Sequence, residues 1–100
     1  MKSAMDVRVE RSQTGVLEVN CEAATWADFK RVVRQLKRQF KAKVITKADG
    51  PDSRVWRLLI EGREIRVDQW DMGPFPLSIS SSSATEEEVP HRIAESLKTL

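Results

Sequence analysis

Between Thr25 and Lys41 the apolar residues Trp26, Phe29, Val33, Leu36 and Phe40 recur at spacings of three and four, with Val32 widening the set. That period is one face of an α-helix, and two Phe and a Trp give the face enough area to anchor a core. Thr25 is the expected cap: its hydroxyl can accept the free N–H of Asp28, and Asp28 suits the positive end of the helix dipole. Lys41 ends the predicted helix.

Elsewhere the pattern has a period of two. Met5, Val7 and Val9 alternate with Asp6, Arg8 and Glu10, and Leu17, Val19 and Cys21 with Glu18 and Asn20. These read as two strands joined through the turn Ser12–Gly15, a hairpin. Lys43 to Lys47 is a short β-branched strand. The turn signal Asp49-Gly50-Pro51-Asp52 follows it.

Arg54 to Glu61 is the clearest strand, with Trp56, Leu58 and Ile60 on one face and Val55, Arg57 and Leu59 on the other. Gly62 marks a tight turn with either Glu61 or Arg63 as its second residue. Both choices return Ile65 and Val67 to the face of Leu58, and the strand runs on to Trp70. Residues 71–76 contain two prolines and read as a loop. Leu77 and Ile79 alternate with serines in a last strand, and the serine run from Ser80 to Ser83 ends it.

A second helix is expected from Thr85, which forms a capping box with Glu88. Its apolar stripe is Val89, Ile93, Leu97 and Leu100. Pro90 inside it would crowd the preceding turn. A start at Thr85 is nevertheless expected, because Val89 stays in phase with Ile93.

The element order is therefore β-β-α-β-β-β-β-α. Short links from Lys43 onward imply an antiparallel meander. Each helix has one apolar stripe, so each covers a sheet from one side only. The expected fold is α+β: a two-layer α/β sandwich in which an antiparallel sheet of about six strands carries two helices on one face. A chain of 100 residues makes one domain, spanning 1–100, with one core.

The other sheet face is then left open. Alternation assigns to it Arg8, Glu10, Glu18, Asn20, Val55, Arg57, Leu59, Arg66, Asp68, Trp70, Ser78 and Ser80. If Val55, Leu59 and Trp70 cluster there, they form an apolar patch that needs a partner.

Charge adds a second candidate surface. Residues 1–50 hold 11 Lys/Arg against 6 Asp/Glu, while residues 51–100 hold 6 against 9, so the halves carry +5 and −3 within a total of +2. The excess is concentrated on the first helix. Lys30, Arg31, Arg34, Lys37, Arg38 and Lys41 fall within an arc of about 120°. Like charges at i,i+4 there oppose helix formation. Such a stripe either binds phosphate or an acidic partner, or is a solvated face neutralised elsewhere. With the helices side by side, Glu86, Glu87 and Glu88 could face it, and the sequence leaves open whether the stripe is free or paired with them.

Chemistry is sparse. Cys21 is the single cysteine and His91 the single histidine, so neither a disulfide nor a thiol–metal cluster is expected. Cys21 reads as core and His91 as surface. Gly50, Gly62 and Gly73 are isolated turn glycines, not a phosphate-cradling loop. Asp68 and Asp71 give no basis for an acid–base pair. No catalysis, cofactor or metal is expected. No apolar run has the length of a signal peptide or a membrane span, and a cytoplasmic location is expected.

The expected function is a non-catalytic binding module, engaging a protein partner or a second copy through the open sheet face or a sheet edge. The alternative is a nucleic-acid-binding domain that uses the basic stripe. The candidate binding residues are Lys30, Arg31, Arg34, Lys37, Arg38 and Lys41 on the helix, and Arg57, Leu59, Arg66 and Trp70 on the sheet. An RNA-recognition sheet needs stacking aromatics on central strands, and Trp70 alone is placed for that, with Arg57 and Arg66 as phosphate contacts for a single strand.

Overall fold

The computed structural model describes residues 6–13, 15–22, 24, 27–70, 77–81 and 88–99. Their elements follow the expected order: β1 (Asp6–Arg11), β2 (Leu17–Glu22), α1 (Asp28–Phe40), β3 (Lys43–Asp49), β4 (Ser53–Ile60), β5 (Arg63–Trp70), β6 (Leu77–Ser81) and α2 (Glu88–Leu97). The six strands form one antiparallel sheet in the spatial order β1-β2-β6-β5-β4-β3. The hairpin and the meander are thus separate ribbons, joined where β6 pairs with β2.

Alternation sets the core side of the sheet. Leu17, Val19 and Cys21 from β2, Trp56, Leu58 and Ile60 from β4, Ile65 and Val67 from β5, and Leu77 and Ile79 from β6 are all buried there. On α1 the expected stripe is buried at Phe29, Val32, Val33 and Leu36, and on α2 at Val89, Ile93 and Leu97. The Phe29 ring meets Trp56 edge-on, with centroids 5.0 Å apart. That contact seats α1 on the β4 side of the sheet; α2 packs on β1, β2 and β6. Burial of about ten large apolar side chains, at roughly 1.5–3 kcal/mol each, is what offsets chain entropy.

Turn chemistry shows why these residues stand where they do. Ile60 pairs with Arg63, so the β4–β5 loop is Glu61-Gly62, with φ of 52° and 80°. Two left-handed residues make the primed turn whose twist suits a hairpin. α1 ends at Lys41, also left-handed (φ 54°), and the Ala42 N–H donates to the Leu36 carbonyl at 3.4 Å. A left-handed residue closing the last turn is a common helix stop. The predicted helix end thus moves back from Lys41 to Phe40.

Its other end differs too. Ala27 precedes the helix and offers no side-chain cap; the expected cap Thr25, and Trp26, lie outside the described residues. Asp28 also pairs forward, accepting from Arg31 at 2.9 Å. The expected Thr85 cap, Glu86, Glu87 and Leu100 are likewise outside them. From Glu88 onward α2 keeps Val89 in phase with Ile93, as the pattern required, and Pro90 is buried with them. β3 carries an irregularity at Ile45, between Val44 and Thr46, which the sequence pattern does not announce.

Candidate functional site

Helix α1 has three flanks, and each meets something different. Phe29, Val33 and Leu36 face the sheet. Asp28, Gln35 and Gln39 form the flank toward α2. The buried Gln35 amide donates to the Ser96 carbonyl and hydroxyl, both at 3.1 Å. Five residues further along α1 and four residues back along α2, Arg92 lies over the Phe40 ring at 5.3 Å. The two helices therefore run antiparallel, and Gln35 fixes the rotation of α1 about its own axis.

The third flank is the cationic one. At 100° per residue its centre lies about 120° from the flank held by α2. Lys30, Arg31, Arg34, Lys37, Arg38 and Lys41 are all exposed there. Arg31 is tied to Asp28; the other five have no ion pair with any described residue. The open question of whether Glu88 faces this stripe is answered: α2 lies against the Gln35 flank, and Glu88 acts on Arg92 of its own helix. Arg92 pairs with Glu61 at 2.9 Å.

The flank continues onto the sheet margin. Lys30 shares a shallow depression of about 320 Å³ with Asp49, Arg54 and Trp56. Lys47 on the edge strand β3 lies over the Trp56 ring at 4.5 Å, while the Trp56 indole N–H donates to Asp49 at 2.7 Å. Lys47 was not among the candidates read from sequence. No sequence signal marked it: the irregularity at Ile45 shifts the alternation of β3 by one residue, and that shift sets Lys47 opposite Trp56 on the helix side.

Arg57, Leu59, Arg66 and Trp70 lie on the other side of the molecule, on the open sheet face. The ten candidates therefore make two surfaces. Arg57 and Arg66 are direct cross-strand neighbours. Arg57 is exposed and has no partner among the described residues; the Arg66 Nε donates to Asp68 at 3.1 Å. A depression of about 300 Å³ lies over them, bordered by Glu18, Glu64 and Ser80. Trp70 is 59 % exposed and Leu59 39 %.

The conditional apolar patch does not form. Trp70 is opposite Ser53, six residues from Leu59 along β4, or about 20 Å at 3.3 Å per residue. Arg57 and Arg66 lie between them. Asn20, assigned to the open face, is buried; it donates to Glu10 at 2.9 Å.

Two titratable groups are displaced. Burial pushes the Cys21 thiol up to about 12, with the Asp28 charge adding to it. Burial also raises the Asp68 carboxyl, partly opposed by Arg66, and one of its oxygens is enclosed with no hydrogen-bond partner. His91 is exposed, beside a depression of about 440 Å³ with Phe40 and Arg92. Among the described residues no three His, Cys, Asp or Glu side chains are grouped to hold a metal ion, and no helix is long and apolar enough to cross a membrane. No protein-family model, curated protein or solved structure matches the chain.

Proposed function

We propose that this protein is a non-catalytic binding module that holds nucleic acid through its phosphates, along the cationic flank of α1. The observation that supports this most is the set of five exposed cations, Lys30, Arg34, Lys37, Arg38 and Lys41, with no acid paired to them among the described residues. From Lys30 to Lys41 the helix rises about 16 Å. One strand of a duplex places about five phosphates in that distance, at 3.4 Å each. Like-charge crowding costs the isolated helix stability. A polyanion reverses the sign of that term.

The test is fluorescence anisotropy of labelled single-stranded and duplex oligonucleotides at 50 and 200 mM salt. Five phosphate contacts give a log–log salt slope of about −4.5 on a duplex, a loss of roughly 500-fold over that range. Arg34→Glu with Arg38→Glu removes two contacts and lowers the slope by about 1.8. Wild-type affinity and slope in that double variant would refute the reading.

A second reading is protein contact through the open sheet face. The exposed Trp70 favours it, since large aromatic side chains are rarely left in water without a partner surface. It expects Trp70→Ala to abolish association without unfolding the chain.

A further inference from the structure

The register lays one row of side chains across the open face. Read in spatial order over β1, β2, β6, β5 and β4, it is Glu10, Glu18, Ser80, Arg66, Arg57. Two acids stand at one end, two arginines at the other, and a serine at the centre. Within a single chain this arrangement is only partly relieved: Glu10 directly opposes Glu18 and Arg57 directly opposes Arg66, like charges directly opposite destabilise a sheet, and of the four Glu10 has Asn20 and Arg66 has Asp68 as a partner. Glu18 and Arg57 have no hydrogen bond or ion pair among the described residues.

The row changes sign about Ser80. A two-fold axis through Ser80, parallel to β6, lays the face of a second copy on the first and reverses the row. Glu10 then meets the partner's Arg57, and Glu18 the partner's Arg66. All four like-charge neighbours gain an opposite charge, and the short Ser80 side chain lets the faces approach at the axis. The neighbouring row behaves consistently. Asn20 and Asp68 lie at equal distances on either side of Ser78, so the reversal brings no like charges together there. Sliding the copies by two strands would instead set Ser80 against an arginine and leave the acids facing water, so the charges also select the register.

We propose that two copies of this chain pair face to face through the open sheet, in a reversible dimer specified by this antisymmetric charge row. The inference rests on the open-face reading and names its partner. Two twisted sheets packed this way keep their strands roughly aligned, with both helix layers outside. The cationic flank of α1 stays exposed in each copy. Five strands at about 4.8 Å and six residues at about 3.3 Å span roughly 480 Å² on each copy. The two faces together come to about 1,000 Å², the size of a weak, transient interface and not of an obligate one. Trp70, two strands from β2 in the sheet order, is carried over the β2 side of the partner.

The test is sedimentation velocity from 5 to 500 μM at 50 and 500 mM salt. Wild type is expected to dimerise at low salt and to dissociate by at least tenfold in Kd at high salt. Arg57→Glu with Arg66→Glu makes the row wholly acidic; Glu10→Arg with Glu18→Arg makes it wholly basic. Each is expected to be monomeric alone. Their 1:1 mixture is expected to form a dimer tighter than wild type. Arg34→Glu with Arg38→Glu, on the helix side, dimerises as wild type does.

If a double variant fails to fold, Ser80→Lys serves in its place, since it sets two like charges together on the axis and abolishes the dimer. A wild-type chain that stays monomeric at 500 μM in low salt overturns the proposal and leaves the open-face reading standing. A dimer that neither charge variant weakens, with Trp70 fluorescence as open to iodide as in the monomer, overturns both.

Discussion

Arg34 has four cationic neighbours on the surface of α1: Lys30 and Arg38 four residues away, Arg31 and Lys37 three away. Asp28 largely offsets Arg31 at 2.9 Å, which leaves three uncompensated like-charge pairs. At about 0.2–0.5 kcal/mol each, they destabilise the helix by about 1 kcal/mol at low ionic strength. Gln and Arg have similar helix propensities, so Arg34→Gln isolates the charge. In a domain of this size about 1 kcal/mol raises the unfolding midpoint by about 4–8 °C. The assay is thermal unfolding by circular dichroism in 20 mM and in 1 M NaCl. The gain is expected in the dilute buffer and should vanish in 1 M salt, where the screening length is about 3 Å. No gain in dilute buffer would mean that an acid neutralises Arg34 after all. A gain that survives 1 M salt would mean that its source is not charge.

Other expectations follow from the buried groups. The Cys21 thiol ionises near 9.0 when unfolded but is held to about 12 in the fold, so the native state keeps its proton while the unfolded chain loses it. Stability should therefore fall by about 1.4 kcal/mol per pH unit between those values, and urea titrations should show that slope removed in Cys21→Ala. Asp68 is raised because burial outweighs its Arg66 pair: the folded state holds its proton more tightly, so stability declines as pH rises through the acid range. In Asp68→Asn the change in unfolding free energy from pH 4 to pH 7 should be more positive than in wild type; an unchanged difference would contradict the assignment. Leu36 is fully buried, and Leu36→Ala should cost about 2–5 kcal/mol in chemical denaturation.

Much of this architecture was legible because its signals are local. Alternation in β2, β4, β5 and β6 assigned the buried face residue by residue. The turn at Gly62 could be placed in two ways without moving a side chain to the wrong face. The helix period of Phe29, Val33 and Leu36 did the same for α1. What was not legible depends on contacts far apart in sequence. That the two ribbons join through β2 and β6, and not through β1 or β3, is decided by which strand edges remain free once both have formed, and no residue in Leu77–Ser81 encodes it.

The rotation of α1 shows the same division. The sequence separated a cationic flank from the flank Asp28, Gln35 and Gln39, but could not say which of them α2 would take. Gln35 decides this through Ser96, 61 residues away. Whether Glu88 neutralises the stripe was open in the sequence for that reason. The charge row from Glu10 to Arg57 is equally invisible in sequence, because its members come from five strands and become a row only through the register. Trp70 and Leu59 illustrate the converse. Alternation put both on the open face correctly, yet their separation along β4 and β5 keeps them from forming one patch.

The most direct test of the account is an amide chemical-shift titration of the isotopically labelled protein with a short oligonucleotide at low salt. The account predicts shifts concentrated in residues 30–43 and at Lys47, reversed as salt is raised, with the open face undisturbed. Shifts centred on Arg57, Arg66 and Trp70, or none at all at low salt, would contradict it.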